Sequence, residues 1–140
     1  MIGKIVKVIV DRKLGSVHPK YKDIIYTVNY GYIPGIIAPD GEEQDAYILG
    51  VDVPIKEFTG KVIAIVHRIN DVEDKWIVVP DNVSFSKKEI MEKVAFQEQF
   101  FDVLIIKYNT VLSSVDYRFA PIRYNLTPLC KNAHPYRFLH

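Results

Sequence analysis

The stretch Pro39-Asp40-Gly41-Glu42-Glu43-Gln44-Asp45 places four carboxylates within six residues, between two apolar runs of β character. Carboxylates this close repel one another unless a cation sits among them. Oxygen donors without cysteine or histidine suit a hard divalent ion, Mg²⁺ or Mn²⁺, far better than zinc. Asp40 and Glu42 share a face of an extended chain, and Asp45 opens the next strand. Three carboxylates converging from such a turn can hold a divalent ion and leave waters for a substrate. Asp-Gly is also a plain hairpin signal, and surface turns are often acidic for solubility, so the turn alone leaves both readings open.

A second acidic loop, Asn70-Asp71-Val72-Glu73-Asp74-Lys75, also lies between apolar strands. Extended, it alternates Asp71, Glu73 and Lys75 onto one face and Asp74 onto the other. Two carboxylates beside a lysine make a second half-site for a metal with an anionic ligand; a solvated turn is the plainer alternative. Asn29-Tyr30-Gly31-Tyr32 precedes the first turn and offers tyrosine hydroxyls to a phosphate oxygen, or simply packs. Arg12, His18 and Lys20 add basic groups near the N-terminus. Acidic loops for Mg²⁺ with Lys, Arg and Tyr for an oxyanion are the parts of metal-assisted phosphoryl transfer to water. A Gly-rich nucleotide loop, a Cys/His zinc spacing and a Gly-x-Ser-x-Gly elbow are all missing from the sequence, which argues against a P-loop ATPase, a zinc hydrolase and an α/β-hydrolase.

The elements that must position these groups are short. Lys4–Val10, Asp23–Tyr32, Ala46–Val53, Val62–Arg68, Trp76–Val79 and Val103–Ile106 read as strands, with Phe58-Thr59-Gly60-Lys61 as a turn. Short strands punctuated by turns favour a small barrel over an α/β sheet. One helix is well marked over 86–101: Ser86-Lys87-Lys88-Glu89 is a capping box, Phe85 and Ile90 a hydrophobic staple, and Ile90, Met91, Val94, Phe100 and Phe101 an apolar face. Beyond Tyr108 the pattern decays, so 1–108 reads as the barrel domain and 109–140 as an irregular tail. Its arginines among aromatics suit nucleic acid or a merely draped segment.

With 140 residues the chain is most simply one domain, and a formal charge of +1 gives no global attraction to nucleic acid or anionic membrane. The single cysteine, Cys130, forms no internal disulfide, and the N-terminus lacks a signal-peptide pattern; a cytoplasmic protein is expected. No apolar run approaches the roughly 20 residues of a membrane span.

Asn29-Tyr30-Gly31-Tyr32-Ile33 followed by Asp40-Gly41-Glu42-Glu43-Gln44-Asp45 resembles the soluble (family I) inorganic pyrophosphatases, whose signature Asp-Gly-Asp-Pro-x-Asp follows an Asn-Tyr-Gly-Tyr segment. The similarity continues through Gly60-Lys61-Val62, the second acidic loop, Val78-Val79-Pro80 and Phe96–Phe100, covering Lys4 to Ile106. It implies a mainly β, five-stranded, OB-like closed barrel with flanking helix, an α+β fold that hydrolyses pyrophosphate to two phosphates with several Mg²⁺ ions. By the resemblance Asp40, Glu42 and Asp45 are the signature acids, with Asp45 bridging two metals and Glu42 in the general-base position. Asp71 and Glu73, with Asp74 as the other candidate, match the second acidic pair; Lys75 matches the lysine on the leaving phosphate and Tyr30 the tyrosine on a phosphate oxygen. Glu42 is a methylene longer than the family's aspartate, the second loop is shorter, and a Tyr-Lys pair of the family falls on Phe100-Phe101. The family's N-terminal Glu, Lys and Arg lack clean counterparts, for which Arg12, His18 and Lys20 substitute in part, and the tail does not resemble its closing helix.

The leading expectation is therefore a Mg²⁺-dependent inorganic diphosphatase with pyrophosphate as partner, without nucleic acid or membrane, its state as monomer or homo-oligomer left open. A catalytically weak relative that binds pyrophosphate or a nucleotide is the alternative, motivated by Glu42, Phe100 and Phe101. An OB-like module for single-stranded nucleic acid is a third, disfavoured because a phosphate backbone needs a basic groove.

Overall fold

Short runs rich in β-branched and aromatic residues give the chain its strands, and their closure gives it its shape. The computed structural model describes residues 1–71 and 73–107, and the backbone of residues 117–118. Its strands are β1 (Ile5–Arg12), β2 (Asn29–Ile37), β3 (Glu43–Ile48), β4 (Glu57–Arg68), β5 (Glu73–Val79), β6 (Val103–Lys107) and β7 (Tyr117–Arg118), with one helix, α1 (Lys87–Glu98), between β5 and β6. The hydrogen-bonded order is β1-β2-β3-β5-β4, and β4 returns to β1, so these five strands close a barrel. Only β3 and β5 run parallel within it. This is the small OB-like α+β barrel that the sequence leads one to expect. β6 and β7 extend the sheet from β4. Apart from β7, the expected tail 109–140 lies outside the described residues.

Strands β2 to β5 face two apolar layers, whereas β1 sends Val6, Val8 and Val10 inward and leaves its other face to solvent. Ala46, Ile48, Trp76 and Val78 join Val6, Val8, Val10, Ile33, Val62 and Ile65 in one cluster. Their neighbours Tyr47, Leu49, Ile77 and Val79 join the cluster that holds Ile90, Met91 and Val94 of α1. A helix lies outside a five-stranded barrel, so the first cluster fills the interior and the second is the layer between barrel and helix.

The differences from the expected elements have local causes. Phe58–Lys61 is strand, not turn, because Lys61 to Glu57 pair with Ile5 to Ile9 and close the barrel. Gly60 permits it: a Cβ there would lie 2.5 Å from the Val79 carbonyl oxygen. The second strand begins at Asn29 rather than Asp23; the preceding segment folds back through a Val17–Ile25 bridge. In Asn29-Tyr30-Gly31-Tyr32 the glycine is structural, since a Cβ on Gly31 would stand 1.8 Å from the Ile9 carbonyl oxygen. The capping box of α1 forms as expected, with the Glu89 amide donating to Ser86 Oγ at 3.1 Å and the Ser86 amide to Glu89 Oε1 at 2.8 Å. The helix stops at Glu98, and Phe100 and Phe101 turn back into the layer beneath it rather than extending its face to 101.

Candidate active site

Three of the residues singled out by sequence meet at one point. Tyr32 pairs with Asp45 across β2 and β3, and Ala46 pairs with Trp76 across the parallel β3–β5 ladder. This register sets Tyr30, Asp45 and Lys75 on three adjacent strands. Lys75 Nζ lies 2.6 Å from Asp45 Oδ2, donates to the Tyr30 hydroxyl at 3.0 Å, and stands 3.4 Å from Glu73 Oε1. Lys75 is only 3% exposed, so its charge is held at the base of the site rather than in solvent. Burial, and then the Asp45 charge, push the Tyr30 phenol well above its ordinary range, so it is a hydrogen-bond donor at any physiological pH.

Above this trio lies a cavity of about 390 Å³, lined by Arg12, His18, Lys20, Tyr21, Tyr30, Asp45, Arg68, Glu73, Lys75 and Gln97. Four of these side chains are cationic and two are carboxylates, a balance that selects an anion. Arg12 and Lys75 each place their charge 5.6 Å from the centroid of the Tyr30 ring. Arg68, from the end of β4, grips the fully buried Glu98 through Nε at 2.9 Å and Nη2 at 2.6 Å, and reaches Glu73 through Nη1 at 3.0 Å. Burial alone would raise the Glu98 carboxyl; the Arg68 charge and the hydrogen bonds from Arg68 and Tyr47 outweigh it and hold the group below its ordinary value.

The remaining expected residues are spread more widely. Of the expected metal ligands, Asp45 and Glu73 line the cavity; Asp40, Asp71 and Asp74 do not. Asp40 and Glu42 are exposed on the β2–β3 turn, where Asp40 Oδ1 accepts the Glu42 amide at 2.9 Å. Asp71 sits in the half-buried turn before β5. Asp74 faces away from Lys75 and lies 2.6 Å from His67 Nδ1. Of the expected substrate-binding residues, Arg12, Lys20, Tyr30 and Lys75 all line the cavity. His18 does too, but its Nδ1 accepts the amides of Lys20 at 3.0 Å and Tyr21 at 3.1 Å, so it shapes the N-terminal wall. Asp11, at the β1 bulge, is close enough to Asp45 to feel its charge: partial burial raises the Asp11 carboxyl, Arg12 lowers it, and Asp45 raises it again.

Sequence reading missed Arg68 and Gln97 in the cavity wall and Glu98 behind them. Arg68 carried a signal, as the one charge closing a buried apolar strand. Gln97 and Glu98 carried another, for they fall three and four places after Val94, on the buried stripe of α1.

Among the described residues no three His, Cys, Asp or Glu side chains are grouped so as to hold a metal by themselves. Mg²⁺ seldom needs such a cage: one or two carboxylates plus substrate phosphates and water complete its octahedron. Asp45 and Glu73 in the cavity are a donor set that fits an ion arriving with a phosphorylated substrate.

The barrel and pocket define the class as an OB-like α+β fold with a cationic, carboxylate-bearing site. Neither a protein-family model nor a curated protein matches the sequence. Solved structures do match. An inorganic pyrophosphatase from Neisseria gonorrhoeae aligns with a TM-score of 0.53 and 19% identity over 67% of this chain and 72% of its own. One from Ehrlichia chaffeensis gives 0.53 and 17% over 69% and 80%, and one from Coxiella burnetii 0.52 and 17% over 70% and 79%. At such identity the likeness establishes the shared fold.

Proposed function

We propose that this chain hydrolyses inorganic pyrophosphate to two phosphates, taking it with Mg²⁺ into the cavity above Tyr30, Asp45 and Lys75. The observation that carries the reading is the convergence of those three side chains, from three strands, in a cationic pocket of a pyrophosphatase-like barrel. Asp45 and Glu73 are the residues that would hold Mg²⁺; when bound, the ion neutralises phosphate oxygens and acidifies water. Lys75 balances the charge that builds on the departing phosphate, and buried Tyr30 donates a hydrogen bond to a phosphate oxygen. Arg12 and Lys20 bind the substrate at the cavity wall. Lys75 and Tyr30 are themselves buried, where a fixed charge or dipole counts for more than it would in water. The general-base role that resemblance implies for Glu42 finds no support in its exposed position, and no step is assigned to it. Asp40, Asp71 and Asp74 do not line the cavity, and no ligand role is assigned to them.

The direct test is phosphate release from pyrophosphate with and without Mg²⁺, alongside Asp45→Asn. Activity that needs Mg²⁺ and is lost in the mutant supports the proposal; equal release by both proteins overturns it. The second reading, pyrophosphate binding without turnover, is favoured by one observation: Phe100 and Phe101 are buried and bring no polar group to the cavity. Tight binding with no phosphate release would establish it.

A further inference from the structure

A single hydrogen-bonded chain joins Arg12 to Arg68 behind the cavity. Arg12 Nη1 donates to the Tyr26 hydroxyl. Tyr26 donates to Gln97 Oε1 at 2.7 Å, Gln97 Nε2 donates to the Tyr47 hydroxyl at 2.7 Å, and Tyr47 donates to Glu98 Oε2 at 2.6 Å. Glu98 then accepts both Nε and Nη2 of Arg68. Every donor along the first four links points the same way, from the guanidinium of Arg12 to the carboxylate of Glu98. Bonds aligned in this manner polarise one another and strengthen in a buried setting. The order also fixes the Gln97 amide, its oxygen toward Tyr26 and its nitrogen toward Tyr47.

As a device for stability alone this arrangement is poor. A carboxylate at the C-terminal end of a helix opposes the helix dipole, and burying an ion pair often costs as much as it returns. Tyr26, Tyr47 and Glu98 are nevertheless wholly buried. What the chain does supply is fixed placement of two guanidiniums that both line the cavity. The Phe101 ring lies 3.8 Å beneath the Arg68 guanidinium and holds its plane from the other side. Arginine is suited to such a role, since its planar fork matches phosphate oxygens and its charge persists at any working pH.

We infer that Arg68 is a substrate-binding residue and acts with Arg12 as a rigidly mounted pair that selects a diphosphate over a single phosphate, Tyr26, Gln97, Tyr47 and Glu98 being the positioning residues between them. The inference rests on the same cavity as the hydrolysis reading, but concerns binding, which needs no metal and no turnover.

Calorimetric titration of the whole chain with pyrophosphate and with orthophosphate, both in chelator, separates the two. Pyrophosphate is expected to bind at least about tenfold more tightly than orthophosphate, from one more charge-assisted arginine contact. Arg12→Lys and Arg68→Lys should each erase most of that preference, pyrophosphate affinity falling by a larger factor than orthophosphate affinity. Tyr26→Phe, which leaves both guanidiniums in place and cuts the two links made by the Tyr26 hydroxyl, should reduce it in part. Because Arg68→Lys disturbs a buried partner, Arg12→Lys and Tyr26→Phe, checked for native circular dichroism, decide the matter if it does not fold. Equal affinity for the two anions, or a preference unchanged in Arg12→Lys and Tyr26→Phe, overturns the inference. Absence of hydrolysis with the preference intact would overturn only the catalytic reading.

Discussion

Lys75 and Asp45 meet at 2.6 Å across the parallel β3–β5 pair, with Lys75 almost wholly buried and Asp45 about one-third exposed. The asymmetry matters. The ammonium is fixed by the barrel, whereas the carboxylate keeps an open side for a further cation or water. Replacing Lys75 by Met preserves most of the packing volume and removes the charge. Phosphate release should fall about 100-fold or more, the usual cost of losing one group that stabilises charge in the transition state. Steady-state assay of Lys75→Met measures it, and a loss below about fivefold would remove Lys75 from the mechanism.

The Arg68–Glu98 pair gives a prediction about pH. The Glu98 carboxyl lies below its ordinary value of 4.5 when folded, so the unfolded chain binds its proton more readily. The stability it contributes is present in full above about pH 4.5 and is lost as pH falls through the lower, folded value. Glu98→Gln should cost about 3 kcal/mol at neutral pH, since Arg68 is left without its buried counter-charge. It should also flatten the acid limb of a denaturant-midpoint profile. A mutant that loses stability in acid as steeply as the wild type would place the acid sensitivity elsewhere.

The same pair shows what could and could not be read from sequence. The barrel was legible because strand runs and turns are local: Trp76–Val79 is a short apolar run, buried on both faces and stopped by Pro80, and Ser86–Glu89 caps α1 by itself. Barrel closure was not. Phe58–Lys61 looks like a turn by composition, and only the distant β1 makes it a strand. In the site, Tyr30, Asp45 and Lys75 were recognisable because they sit in motifs. Arg68, Gln97 and Glu98 were not, because their meaning lies in a contact between a strand end and a helix end thirty residues away. Carboxylate count says less than register: of the four acids on the turn, only Asp45 lines the cavity.

Glu42 tests that last point. Its exposed place on the β2–β3 turn predicts that Glu42→Gln leaves phosphate release within about threefold of wild type, as substitutions away from a site's contacts generally do. A drop on the order of 100-fold would instead mean that the turn folds over bound substrate and that Glu42 acts there, since small displacements of a reacting group carry costs of that size.

Phe101 offers the sharpest contrast between resemblance and structure. The sequence resemblance implies a lysine at this position, and introducing it with Phe101→Lys looks like a gain of one phosphate contact. Here the ring is buried, 5% exposed, with the Arg68 guanidinium 3.8 Å above it. A lysine would set an ammonium against that guanidinium in a poorly solvated place and leave a void where the ring packed. Both effects destabilise. Phe101→Lys should therefore lower the denaturant midpoint markedly and reduce pyrophosphate affinity, because Arg68 is displaced. Phe101→Leu, which keeps the site apolar, should lose less of both. If Phe101→Lys proved as stable as wild type and bound pyrophosphate more tightly, the cation at this wall would be supplied equally well from the helix end, and the mounting of Arg68 on Glu98 and Phe101 would not be what positions it.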